Sequence, residues 1–265
     1  SGYHKRHGGL NCALHQGICY CSSMNAPTDK IVLVTGGSGG IGAAIAGEFA
    51  RHGCRVAIAA RDQKKLATVA DKIAQDGAQV RGIPCDVTRR DDVQRLRHSI
   101  QQLWGDVQVL VNNAGIASAV SFADMSDETW DRTLDTNLTG VYNCCKVFLP
   151  AMVQVKWGRI INIASTTAKV GYSHVTAYTA SKHGLLGLTR SLALETARQG
   201  VTVNAICPGY VDDERTRENA RVMAEKTGKA VDDILKIFAA SAPQNRLIEA
   251  EEVASLACLI ASPEM

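Results

Sequence analysis

The sequence predicts one α/β domain, a doubly wound parallel sheet covered by helices on both faces. Three observations predict it. From Ile31 onward, short continuous apolar runs alternate with longer segments of helical periodicity, as in buried parallel strands joined by crossover helices. The first apolar run ends in a glycine-rich turn, Thr35-Gly36-Gly37-Ser38-Gly39-Gly40-Ile41-Gly42, which opens straight into a helical segment. The residues of greatest chemical interest, Gly36, Arg61, Asp86, Asn113, Ser165 and Pro208, each follow the end of an apolar run. Open parallel sheets collect their ligands there, in one crevice at the carboxyl ends of the strands.

The elements follow in order. Strands are expected at 31–35, 55–60, 79–83, 107–112, 159–164 and 201–206, each a short Val/Ile/Ala-rich run. Helices are expected at 41–52, 62–75, 89–104, 127–155, 176–199, 214–240 and 249–260. Ser126 suits an N-cap, with Asp127 and Glu128 in the first turn where the helix dipole favours negative charge. Before Met24 the chain is rich in Gly, His and Cys without periodicity, and Asn25 to Asp29 reads as a turn. Residues 1–29 are therefore expected to form a disordered tail, appended to a domain over 30–265.

Composition narrows the function. Of 265 residues 46% are hydrophobic, and 23 glycines suit helices packed closely on a sheet. The net charge of +3 comes from Lys and Arg scattered among Asp and Glu, so nucleic acid and membrane surfaces are not expected partners. No segment approaches the roughly 18–20 apolar residues of a membrane span. The basic start lacks the apolar run of a signal peptide, and a cytoplasmic location is expected. Cys54, Cys85, Cys144, Cys145, Cys207 and Cys258 sit in apolar context and read as buried thiols. Cys12, Cys19 and Cys21 share the first segment with His4, His7 and His15, but their spacing matches no standard zinc pattern, and no metal site is expected.

The motifs carry chemistry. Glycines after the first strand let the backbone turn and approach a pyrophosphate, whose charge is met by free N–H groups at the helix N-terminus. At the end of the second strand, where an NAD-binding chain would offer an acid to the ribose, the sequence reads Ala59-Ala60-Arg61-Asp62. A guanidinium at Arg61 can pair with a 2′-phosphate, which favours NADP(H); Asp62 reaching the ribose would instead suit NAD(H). Asp86 could accept from the adenine amino group or cap the next turn. Tyr178 and Lys182 are four residues apart on one helix face, and a nearby ammonium would lower a tyrosine's pKa from about 10 towards a useful range.

With Asn112-Asn113-Ala114-Gly115, Asn137, Ser165 and Pro208-Gly209 in the same order, the chain from Lys30 onward resembles the classical short-chain dehydrogenase/reductase family, with its Rossmann fold. The resemblance implies that Tyr178 is the general acid/base, that Ser165 holds the substrate oxygen, and that Lys182 bonds the nicotinamide ribose while lowering the Tyr178 pKa. It implies that Asn137 positions a water in a relay to Lys182. Thr35, Gly36, Ser38, Gly40, Ile41, Gly42, Asp86, Val87, Asn113, Ala114, Gly115, Pro208, Gly209 and Val211 are implied to line the cofactor, together with Arg61, Tyr178 and Lys182. Within the family, Ala177 to Glu195 and Val203 to Tyr210 look most like 3-oxoacyl thioester reductases, polyketide ketoreductases and 3-hydroxybutyrate dehydrogenases. The hydroxybutyrate enzymes commonly carry Gln and His where this chain has Ala117 and Thr167. The expected substrate is thus an uncharged ketone, or its alcohol, free or linked to CoA or an acyl carrier protein. The alternatives are an NAD-dependent alcohol or 3-hydroxy-acid dehydrogenase and a non-catalytic cofactor-binding protein. A homo-oligomer, tetramer or dimer, is expected.

Two departures stand out. The family usually has a Thr that bonds the cofactor where this chain reads Asp212-Asp213-Glu214, and these carboxylates are expected to turn to solvent. The family also usually continues through one more strand ending in Asp-Gly-Gly, which this sequence does not contain; an uncovered sheet edge is then expected.

Overall fold

The computed structural model describes residues 27–75 and 77–264. Six strands, β1 (Ile31–Thr35), β2 (Arg55–Ala60), β3 (Val80–Pro84), β4 (Val109–Asn112), β5 (Gly158–Ile163) and β6 (Val201–Ile206), form a sheet in the order β3-β2-β1-β4-β5-β6. Every pairing is parallel, with Thr35 in register with both Ala59 and Asn112. The strand order reverses between β1 and β4. The loops leaving these two strands therefore part, and the crevice opens there.

Nine helices are described: α1 (Gly40–Arg51), α2 (Gln63–Ala74), α3 (Arg90–Leu103), α4 (Asp127–Leu134), α5 (Gly140–Gln154), α6 (Thr176–Thr196), α7 (Glu214–Thr227), α8 (Val231–Ala240) and α9 (Ala250–Ile260). The central strands β1, β4 and β5 are buried on both sides because each side is covered. Val32, Val34, Val109 and Val111 pack with Ile45 and Phe49 of α1 and Val253 and Ala257 of α9. Leu33, Leu110 and Ile160 face the other way, onto Cys144 and Phe148 of α5 and Leu185 of α6. This double burial explains why the strands read as continuous apolar runs.

The helix expected over 127–155 starts as anticipated, with Ser126 Oγ accepting from Thr129 N at 3.2 Å. It is not continuous, however: a π turn over Asp135–Thr139 separates α4 from α5, and Gly140 N–H bonds back to Asp135 O. The expected single helix over 214–240 is likewise two. Gly228 adopts φ +68° and ends α7, a conformation that costs a glycine little, and α8 begins three residues later. These two helices share a small core of Ala220, Ala224, Ile234 and Phe238, separate from the two large ones. Phe238 also stacks on Tyr210, with ring centroids 4.2 Å apart.

The tail's end is docked. Pro27 is buried and its carbonyl accepts from Cys54 Sγ at 2.8 Å, so Pro27 to Asp29 lie against the start of β2. The Cys and His residues of the first segment lie outside the described residues. All six cysteines read as thiols are free; five are buried and Cys207 is half-buried. No described helix is long and apolar enough to cross a membrane. Among the described residues β6 forms an edge of the sheet.

Candidate active site

The floor of the crevice is built by backbone proximity. Gly36 N donates to Ala59 O at 2.7 Å, bringing the glycine-rich loop across the end of β2. A Cβ at Gly42 would lie 2.3 Å from Gly36 O, so only glycine lets α1 start this close beneath the loop. Thr35 and Asn113 tie the two sides of the crevice together. Thr35 Oγ1 accepts from the backbone N–H groups of Asn113 and Ala114, both at 3.1 Å, and Asn113 Nδ2 donates to the carbonyls of Thr35 and Gly36. Thr35 is fully buried and Gly42 packs under the loop, so these two shape the site from behind instead of lining it. Gly39 and Gly40 are different: nothing stands within 4 Å of a Cβ at Gly39, and Asp213 is the nearest group to one at Gly40. The first N–H groups of α1 lack intrahelical acceptors, which leaves a cradle for an anion.

One end of the crevice is a cavity of about 350 Å³. It is lined by Gly36, Ser38, Gly40, Arg61, Asp86, Val87, Ala114 and Gly115 among the expected residues, and also by Lys65. Arg61 is exposed at its rim. Asp62 Oδ1 accepts from Lys64 N and Lys65 N, both at 3.0 Å, capping α2. Its carboxylate is thus engaged at the helix start, while Arg61 and Lys65 present two cations beside it. Asp86 Oδ1 accepts from Thr88 N and Thr88 Oγ1, so the turn-capping role is real, and the residue faces the cavity as well.

The other end is a smaller cavity lined by Ile41, Asn113, Ser165, Tyr178, Lys182, Pro208 and Gly209. Ser165 leaves β5 and accepts from Thr167 N at 3.2 Å, with Tyr178 lining the same cavity. Lys182 is buried one turn along α6 from Tyr178, its Nζ donating to Ile163 O at 2.7 Å. Asn137 is buried in the π turn: its Oδ1 accepts from Ile116 N at 2.8 Å, and its Nδ2 donates to Ile116 O and Ser181 Oγ. That side chain is fully engaged in holding the Ile116 strand-end loop, and it closes on Gly115, whose Cβ position is 3.2 Å from Asn137 Oδ1 and 3.7 Å from Lys182 Nζ. Val211 is buried and bridges Ile248 behind the cavity; it does not line it.

The electrostatics differ from expectation. Burial pushes the Tyr178 phenol above its ordinary value, against the opposing effects of the Ser165 hydrogen bond and the positive charge of Arg215. Burial also brings the Lys182 ammonium down to about 7, with Arg215 adding to that effect and Cys207 opposing it. The expected lowering of Tyr178 by Lys182 is absent in the chain by itself. The ammonium sits 5.6 Å from the Tyr178 ring centroid and is only partly charged near neutrality, so desolvation wins.

Asp213 corrects the expectation that the three carboxylates turn outward. Asp212 does so, pairing with Arg217 at 2.7 Å, and Glu214 is exposed, 3.8 Å from Lys65. Asp213 faces the crevice: its Oδ2 lies 2.7 Å from the Cβ position of Gly40, while Oδ1 accepts from Thr216 N at 2.8 Å and caps α7. Sequence reasoning missed Lys65 and Arg215. Lys65 had a signal, being four residues after Arg61 and thus one turn into the helix that follows. Arg215 had none, because its approach depends on how the segment after β6 folds back. Glu48, His52 and Cys258 also converge, but the Glu48 carboxylate is already paired with Arg51 and His52, well down α1 from the loop.

Residues 30–224 match the profile of the short-chain dehydrogenases. The ketoacyl reductase 1 assigned to the granaticin polyketide synthase of Streptomyces violaceoruber is 41% identical over 232 residues, 85% of this chain and 84% of that protein. A D-beta-hydroxybutyrate dehydrogenase of Cupriavidus necator is 34% identical over 234 residues, covering 88% and 91%. The crystal structure of a variant actinorhodin polyketide ketoreductase with NADPH superposes with a TM-score of 0.86 at 36% identity, covering 89% of this chain and 91% of that one.

Proposed function

The chain belongs to the short-chain dehydrogenase family and is an NAD(P)-dependent oxidoreductase; within that family we propose that it is an NADPH-dependent ketoreductase acting on a 3-oxoacyl thioester or polyketide-type carbonyl. The observation that carries this reading is one continuous crevice with Arg61 and Lys65 at one end and Ser165, Tyr178 and Lys182 at the other. A dinucleotide fits what is there: an open glycine cradle at Gly39, free helix N–H groups, and two cations placed for a 2′-phosphate. When bound, the nicotinamide supplies or takes up the hydride.

The chain's own residues do the rest. Ser165 orients the carbonyl oxygen, and Tyr178, whose raised pKa keeps it protonated near neutrality, donates a proton to that oxygen as charge develops there. This protonation state suits reduction; oxidation of an alcohol needs the phenolate and is favoured at alkaline pH. Lys182, held by Ile163 O beside Asn137, is placed to pass a proton back towards Tyr178. Thr167 contributes no charge beside Ser165, which supports an uncharged acyl chain over a free acid. A cytoplasmic, homo-oligomeric protein goes with this reading, supported by six free thiols and by the exposure of Leu194 and Phe122.

The test follows loss of reduced-nicotinamide absorbance with acetoacetyl-CoA and either cofactor. NADPH should be used in preference to NADH, and Arg61→Ala should raise the KM for NADPH about tenfold or more while leaving that for NADH unchanged. Equal use of both cofactors would reject the 2′-phosphate assignment. Faster oxidation of a 3-hydroxy acid with NAD than any ketone reduction would favour the dehydrogenase reading.

A further inference from the structure

The two cavities meet at a waist formed by four residues that line both: Gly39, Gly115, Asp213 and Arg215. Two of these have no side chain, so the only side chains at the waist are an acid and a base, both carried by the start of α7. The acidic neighbours are matched elsewhere, Asp212 to Arg217 and Glu214 to Lys65. Asp213 is held by its cap to Thr216 N with its other oxygen against Gly40 of the phosphate cradle. Among the described residues no carboxylate pairs with Arg215; it is exposed at the mouth of the crevice, lines both cavities, and its charge is felt at both Tyr178 and Lys182.

A dinucleotide lying from the Arg61 end to the Tyr178 end carries its pyrophosphate through this waist. We propose that Arg215 is the pyrophosphate anchor of this chain and that Asp213 opposes it, so that the two set cofactor affinity as a lid-borne charge pair. Two negative charges enter a site where Asp213 already supplies one at the glycine cradle; the guanidinium of Arg215 offsets that repulsion with charge-assisted hydrogen bonds to the phosphate oxygens. The pair also links the grip on the cofactor to the position of α7, because both residues move with that helix. This inference rests on the dinucleotide reading above but not on the choice between NADP(H) and NAD(H).

Equilibrium binding, read by calorimetry with no substrate present, tests it with three probes: NADPH, ADP-ribose, which keeps the pyrophosphate without nicotinamide or 2′-phosphate, and adenosine 2′-monophosphate, which has no pyrophosphate. Arg215→Met should weaken NADPH and ADP-ribose about tenfold and leave adenosine 2′-monophosphate within about twofold. Asp213→Thr should tighten NADPH and ADP-ribose several-fold, with thermal melts confirming that both variants fold. Unchanged ADP-ribose affinity in Arg215→Met, with a raised KM for a ketone bearing a free carboxylate, would assign Arg215 to the substrate and overturn the proposal. Weaker binding in Asp213→Thr would overturn the opposing role of Asp213. Arg61→Ala acting on neither NADPH nor adenosine 2′-monophosphate would reject the NADP preference alone, whereas a folded wild type that binds no probe would overturn the dinucleotide reading and this inference with it.

Discussion

The Tyr178 end of the crevice and the lid of α7 and α8 that borders it are stabilised differently. Asn137, Ser181 and Lys182 are buried in the main body and tied across elements: Asn137 to Ile116 backbone, Ser181 to the Asn137 side chain, Lys182 to Ile163 O. The lid, α7 and α8, has only four buried apolar residues of its own; at the waist Asp213 is held by one cap, and the neighbouring Asp212 and Glu214 by surface pairs. Such surface pairs contribute little each, and a small core opens at lower free energy than a large one. The side chains proposed to handle the proton are thus fixed by the sheet and α6, while the two charged side chains at the waist ride on an element with only a small core of its own.

The largest effect should come from the arranged half. Tyr178→Phe should lower turnover about a thousandfold while NADPH affinity stays within about twofold, measured by steady-state kinetics beside calorimetry. Retention of turnover would break the comparison, because the buried end would then not be where the proton comes from. Next in size, Phe238→Ala removes the ring that stacks on Tyr210 and fills the lid core. It should cost the lid about 3 kcal/mol, a roughly hundredfold faster amide exchange in α7 and α8, with β4 and β5 unaffected. Equal acceleration in the sheet would show that lid and body open as one unit.

The smallest effect sharpens the arranged half. Burial brings the Lys182 pKa down to about 7 from an unfolded value of about 10.5. The folded chain therefore binds fewer protons than the unfolded chain between these values, and stability rises with pH across that window. The penalty is full below pH 7 and fades as pH approaches 10.5. Lys182→Met removes it, so the melting-temperature advantage of the variant over wild type should be larger at pH 6 than at pH 9, by a few degrees. An advantage independent of pH would show that Lys182 is not desolvated.

Much of this was legible in the chain. The strands were readable because burial on both faces leaves an unbroken apolar run, and the glycine loop because tight backbone approach admits no side chain at Gly42. Ser165, Tyr178 and Lys182 were legible through the family resemblance that their order with the other motifs carries. The π turn was not, since Asp135 to Thr139 continues the helical periodicity and differs only in which N–H meets which carbonyl. Thr35 and Val211 were expected to touch the cofactor and instead brace the loops behind it, a distinction that depends on side-chain direction and not on position along the chain.

By itself, the sequence determined the alternation of elements, the crevice at the strand ends, the spacing of Tyr178 and Lys182 and the cation after β2, because each is written in local periodicity or in a few adjacent residues. Only the tertiary structure decided that Asp213 turns inward onto Gly40, that Lys65 and Arg215 join the crevice, and that burial raises the Tyr178 pKa. Those outcomes depend on how distant segments close around one another, and on how much water they exclude when they do.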